Sequence, residues 1–233
     1  MYSAAETALA RNLLASLDRC GCGGENVRAY CTDASSAAAT RDPRHQFLDV
    51  AGVLARVPFA ARNSAVALLC FLVILAELRA GNDVWFLDVG AVVRVDLDAL
   101  LWRPLQSAQL RRAAPVAVFG DECGGVATSS MIFSTEAEST LVAFMAASCS
   151  NSSGAVALDV AAFFQEHTPM PQPQRLDARQ FPLGPLFFGP RGRRRGDRVR
   201  AEAWLVRTDH LDSVEAKIRA LRASGHWLCY RQR

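Results

Sequence analysis

Lysine is almost missing from this chain: Lys217 is the only one, so the 26 basic residues are otherwise arginine. The bias runs along the whole sequence and marks coding preference before it marks function. Charge of one sign is also scarce. A formal net charge of +3 is too small to point to a nucleic-acid partner by itself. No long hydrophobic run occurs. The most apolar stretch, Ala65 to Ala76, has 12 residues, short of the roughly 20 that cross a bilayer. Zinc-type cysteine spacing is absent too. The seven cysteines are scattered, Cys20-Gly-Cys22 is too tight for the usual pair, and no second pair follows. His45, His167, His210 and His226 have neither ligand nor triad spacing. A signal peptide is not legible either, because Ser3-Ala-Ala-Glu6 reads as a capping box opening an amphipathic helix. Localisation is left open by the sequence, cytoplasmic for the chain as given and a secretory lumen if a segment precedes it.

What is present is an ordinary globular composition, 51% hydrophobic and 21% charged, which excludes a disordered chain. Along it, Ala4 to Asp18 carries Ala8, Leu9, Leu13 and Leu17 at helical spacing, and the glycines after Cys20 end that helix. Val27 to Thr32 reads as a strand closed by Asp33 and a polar loop. Phe47 to Val57 is a short helix or apolar loop, and Asn63 to Arg79 is a helix ended by Gly81-Asn82. Val84 to Leu87 is uninterruptedly apolar, as a strand buried on both faces would be, and Pro115 to Phe119 is a second such strand. These two are expected to be central neighbours, with the Ala65 to Leu78 helix on one face. Each runs into an acidic, glycine-containing loop, Asp88-Val-Gly90 and Gly120-Asp121-Glu122-Cys123-Gly124-Gly125. Ligands of open α/β sheets bind at such strand ends.

Farther on, Thr135-x-x-Glu138 reads as a capping box before a helix facing inward with Leu141, Phe144 and Met145. Asp159 opens the helix from Val160 to Gln165 and could simply cap it. Three prolines between Pro169 and Pro173 mark a connector. After it stands Arg191-Gly-Arg-Arg-Arg-Gly-Asp-Arg198. Val199 to Arg207 alternates like a strand, Asp212-x-x-Glu215 caps a helix with Val214, Ile218 and Leu221, and Trp227 to Tyr230 could form a last strand.

Phe86-Leu-Asp-Val-Gly-Ala-Val-Val-x-x-Asp-Leu97 resembles the segment of GT-A nucleotide-diphospho-sugar transferases in which an apolar strand runs into Asp-x-Asp. Over about residues 5 to 170 the resemblance implies an α/β, Rossmann-like, mainly parallel sheet flanked by helices. Residues 171–233 would then be a Pro/Arg-rich connector with a strand-helix-strand extension packed on the same domain. In that family a strand precedes the first helix and supports the nucleotide base, and no such strand is legible here. The resemblance implies donor binding at Asp88, Gly90, Asp121, Ser129, Asp159 and Arg194, with Asp88 as a ligand of Mn²⁺ or Mg²⁺. Gly90 stands where the family has its second acid, and Ala127 and Ser129 stand where it has Asn-x-Gly. Two acids one residue apart share a hard cation that neutralises the departing diphosphate. Asp88 alone supplies one ligand, leaving the rest to Asp96, Asp121, Glu122 or water. Without a metal, basic groups such as Arg94 and Arg193 to Arg195 would carry the neutralisation.

The implied partners are a nucleotide-sugar donor and an acceptor of unread chemistry, with nucleic acid and membrane not expected. The implied function is glycosyl transfer with a degenerate Asp-x-Asp motif and reduced activity. The alternative is an inactive scaffold of the same fold. In the bland readings Asp88 only caps a turn, Arg191 to Arg198 is a solvated loop, and Asn151-Ser-Ser153 is a chance glycosylation triplet.

Overall fold

The computed structural model describes residues 1–24, 26–55, 68–97, 99–100, 117–119, 130–150, 160–167, 174–176, 179–182, 184–188, 200–208 and 210–229. It is a mixed α/β structure divided into two compact units. The first combines Met1–Leu48, Asp88–Pro104 and Asp177–Arg233, and the second combines Asp49–Leu87 and Leu105–Leu176.

In the first unit, Glu6 Oε2 accepts from the Ser3 N–H and from Ser3 Oγ, the reciprocal half of the expected capping box. A single 3₁₀ turn, Ala4–Glu6, leads into α1 (Thr7–Arg19), which buries Leu9, Leu13 and Leu17. Strands β1 (Ala29–Cys31) and β2 (His45–Phe47) pair in parallel, joined through α2 (Ala34–Ala39). The polar loop expected after Asp33 is this helix. Asp33 caps it, accepting from the Ser36 N–H at 2.7 Å. Before α1 stands a single isolated bridge, not a strand. Tyr2 forms a parallel bridge to Cys31, its N–H donating to the Tyr30 carbonyl and its own carbonyl accepting from Thr32. One residue is too short to leave a periodicity, so the sequence hides it.

Still in this unit, β4 (Val92–Val93) pairs antiparallel with β8 (Leu205–Val206). Of the expected Val199 to Arg207 strand, these two are the strand residues among those described, 200–202 are helical, and Val199 lies outside the described residues. Of the expected last strand, 227–229 take no regular structure and Tyr230 lies outside the described residues. Among the described residues the unit also holds α7 (Gly184–Phe188) and α8 (Val214–Ala223). The cap of α8 is Ser213, one residue beyond the expected Asp212, and its hydroxyl accepts from Ala216. Tyr2, Leu9, Cys31, Val89, Val92, Phe187, Val206 and Leu221 form the core.

In the second unit are α3 (Val50–Ala55) and α4 (Leu69–Arg79), which Leu68 caps; Asn63 to Ala67 of the expected helix lie outside the described residues. The four-stranded sheet has the order β3-β6-β5-β7, where β3 is Val84–Leu87, β5 Ala117–Phe119, β6 Ser130–Phe133 and β7 Gln174–Arg175. Strand β6 runs antiparallel to β3 and β5, while β5 and β7 are parallel. Two expectations fall here. The strands ending in acidic loops are not neighbours, because β6 lies between them. Nor is the sheet mainly parallel. Strand β3 stands at one end of the order and is half-buried throughout. The strand buried on both faces is β6, with Ser130, Met131, Ile132 and Phe133 all at 5% exposure or less.

Helices α5 (Glu138–Ser150) and α6 (Val160–His167) pack on this sheet with α4. Phe71 meets Phe144 edge-on at 5.2 Å, and Phe133 lies 5.5 Å from Phe164. Leu141 and Phe144 face inward as expected. The expected box at Thr135 does not form. The Thr135 N–H donates to Asp83 Oδ1 at 2.8 Å, and Glu138 accepts from Arg79 Nε at 3.0 Å.

Candidate functional site

Asp88 follows β3 directly and is half-buried. Its Oδ2 accepts from the Gly90 N–H at 3.1 Å, and its carbonyl accepts from the Ala91 N–H at 3.0 Å. This is the geometry of an Asx turn. The turn reading of Asp88 is thus met, while Oδ1 has no partner among the described residues and could face a ligand.

Gly90 is where the structure decides most. The residue is buried, and Thr208 Oγ1 donates to its carbonyl at 2.9 Å. A Cβ built on Gly90 would lie 2.4 Å from that same Oγ1 and 3.1 Å from Asp88 Oδ2. Thr208 is itself fully buried at 0% exposure, so neither partner can step aside into solvent. Close approach to Thr208 therefore requires glycine here. The second carboxylate of Asp-x-Asp has no room at this position, and Gly90 is structural in this chain.

The only lysine reaches the same loop. Lys217, on α8, places its Cδ 3.7 Å from the position of a Gly90 Cβ. Thr208 and Lys217 were not singled out by sequence reading. The rarity of lysine was visible, but nothing local ties residue 217 to residue 90.

Of the other implied metal ligands, Asp96 lies among the described residues. Asp96 is committed as a cap: its Oδ1 accepts from the Ala99 N–H at 3.0 Å and faces the Cys22 thiol at 3.6 Å. Asp121, Glu122, Ser129, Asp159 and Arg193 to Arg195, including the donor-binding candidate Arg194, lie outside the described residues. Among the described residues no group of three or more His, Cys, Asp or Glu side chains is arranged to hold a metal ion. Among the described residues Asp88 offers one carboxylate oxygen, where Mn²⁺ or Mg²⁺ takes several oxygen ligands.

Arg94 has a defined setting. Its Nη1 donates to the carbonyls of Arg200 and Ala203, and its guanidinium lies 5.9 Å from the Phe187 ring centroid. Burial pulls its affinity for the proton below the ordinary arginine value, because no described acid forms an ion pair with it.

Cys20, Cys22, Cys31, Cys70 and Cys229 are not joined in disulfides. Cys20 faces the Val93 carbonyl at 3.5 Å, and burial raises its pKa above that of an ordinary thiol, with the Cys22 thiol adding to the rise. His45 is buried and hydrogen-bonds through Nδ1 to the Tyr2 hydroxyl. Burial lowers the His45 pKa and raises that of Tyr2. That pair belongs to the core of its unit. No helix among the described residues is long and apolar enough to cross a membrane. No family model, curated protein or solved structure matches this chain.

Proposed function

We propose that this chain is a glycosyltransferase-like α/β protein of GT-A type that binds a nucleotide-diphosphate sugar with side-chain cations in place of a tightly held metal. The observation that carries the reading is the Asp88-Val-Gly90 turn, where an apolar strand ends on a half-buried acid and the stem of Lys217 lies near Gly90. Glycosyl transfer needs the departing diphosphate neutralised, and the Lys217 ammonium would do this without a metal. Asp88 Oδ1 is then free to accept from a donor hydroxyl. Any Mn²⁺ or Mg²⁺ bound through Asp88 alone would be held weakly.

The same loop favours a second reading, an inactive scaffold. Thr208 closes the place of the second acid, and Asp88 spends one oxygen on its own turn. Calorimetric titration of UDP and GDP, with and without Mn²⁺, separates the two. The expected result is weak binding, unchanged by Mn²⁺, that falls about tenfold or more in Lys217→Gln. Tight Mn²⁺-dependent binding that vanishes in Asp88→Ala would overturn the metal-free reading. Absence of binding under both conditions would leave the scaffold. Gly90→Asp is not a useful restoration, because its side chain meets Thr208.

A further inference from the structure

We infer that a cleft in the first unit, between Arg94 and Trp204, binds an acidic sugar: a pyranose ring bearing one carboxylate or phosphate. The cleft encloses about 410 Å³ and is lined by Arg94, Arg179, Gln180, Glu202 and Trp204, among others. That volume is in the range that holds a small ligand.

Arg94 selects an anion. Its Nη1 is tied to two backbone carbonyls, which fixes the plane of the guanidinium. Its Nε and Nη2 hydrogens have no acceptor among the described residues, and they form the side of the fork that grips two oxygens of a carboxylate or phosphate. Because the fork is already oriented, little side-chain freedom is lost on binding. With Arg179 the cleft carries two positive side chains against one negative, Glu202, which suits a single negative charge on the ligand.

Trp204 selects the ring. Its main chain is braced on both sides, the N–H donating to the Gln180 carbonyl at 2.7 Å and the carbonyl accepting from Arg94 at 2.9 Å. Phe181 meets its indole edge-on at 6.0 Å. A half-buried indole held in this way offers a flat apolar wall at low ordering cost. Glu202 and Gln180 then decide which ring. A carboxylate accepts from hydroxyls and an amide both donates and accepts, which matches the hydroxyls of a sugar better than a purely apolar ring.

This inference stands apart from the Asp88 reading, and its test contains neither metal nor nucleotide. Glucuronate, glucose 1-phosphate, glucose and inorganic phosphate are titrated calorimetrically into the full chain. Glucuronate or glucose 1-phosphate is expected to bind at least about tenfold more tightly than glucose and than phosphate. The tighter of the two identifies the anionic group. Arg94→Lys keeps the charge but loses the fork, and Trp204→Leu removes the wall. Each is expected to weaken acidic-sugar binding about tenfold or more while circular dichroism and the urea midpoint show a folded chain. Should either variant unfold, Arg179→Gln, on the cleft wall, is expected to weaken the same ligand selectively over glucose. Equal binding of glucose and the acidic sugars, equal binding of phosphate alone, no binding of any probe, or affinities unmoved by the folded variants would each overturn the assignment.

Discussion

Glycine at position 90 is held by one oxygen. Thr208 Oγ1 donates to the Gly90 carbonyl and also fills the space that a side chain would take, at 2.4 Å from a Cβ. Gly90→Ala should therefore destabilise the chain by about 1–3 kcal/mol, as overpacking does. Thr208→Ala should be harmful alone, since it strands a buried carbonyl. In the double variant the clash is gone, so its cost should be less than the sum of the two, read as a coupling in urea unfolding. Strict additivity would mean that the two residues do not share this space. His45 gives a second prediction at this scale. It is 8% exposed, and burial lowers its pKa, with Arg11 and Arg44 pushing the same way and Asp42 opposing. The folded chain resists a proton that the unfolded chain takes up. Its contribution is thus whole above about pH 6.5 and is lost as pH falls below that value, at up to roughly 1.4 kcal/mol per pH unit. Urea midpoints measured from pH 7 to 5 should fall, and His45→Gln should flatten the decline. An unchanged slope in that variant would assign the effect elsewhere, His226 being the other histidine that burial shifts downward.

Three helices end alike. After α4, Gly81 has φ +84°, its N–H donates to the Leu78 carbonyl, and the Asn82 N–H donates to Glu77. This is a Schellman ending, with glycine where the backbone turns left-handed. Gly21 after α1 and Gly225 after α8 repeat the pattern. Gly81→Ala should cost more than about 1 kcal/mol, since alanine is strained at that φ. A urea midpoint equal to that of the parent chain would show that the turn had found another conformation. These endings were legible because a glycine acts locally, on its own φ. So were the α1 stripe and the Ser3–Glu6 cap. Sheet order was not. Val84–Leu87 and Ala117–Phe119 are apolar enough to suggest central strands, but apolarity does not say which strand pairs with which. Strand β6 took the inner place between β3 and β5 with a serine, Ser130, at its start, and its sequence carries no sign of antiparallel direction. The candidate site was half legible for the same reason. Asp88 announces itself as an acid at a strand end, whereas Thr208 and Lys217 reach it from more than a hundred residues away.

Neither unit of the molecule is one stretch of chain. The first is assembled from three segments and the second from two, so the chain passes between them at residues 48/49, 87/88, 104/105 and 176/177. Ending the chain after Leu176 would leave every segment of the second unit in place. The first would lose β8, α8 and the Leu221 side chain from its core. Hydrogen exchange on that shortened chain should find the amides of β6 protected and those of α1 freely exchanging. Protection of α1 at parental levels would show that its stability comes from the N-terminal segment alone.

Asn12 turns this interleaving into a matter of timing. Its Oδ1 accepts from the Leu228 N–H at 2.6 Å, across 216 positions. During synthesis at roughly 5–20 residues per second, α1 leaves the ribosome about 10 to 40 s before that partner does. Through that interval Leu9, Leu13 and Leu17 have no completed core to enter, although the second unit can already close. The apolar face of α1 is then the surface most exposed to aggregation, and the one on which a chaperone would have most to hold.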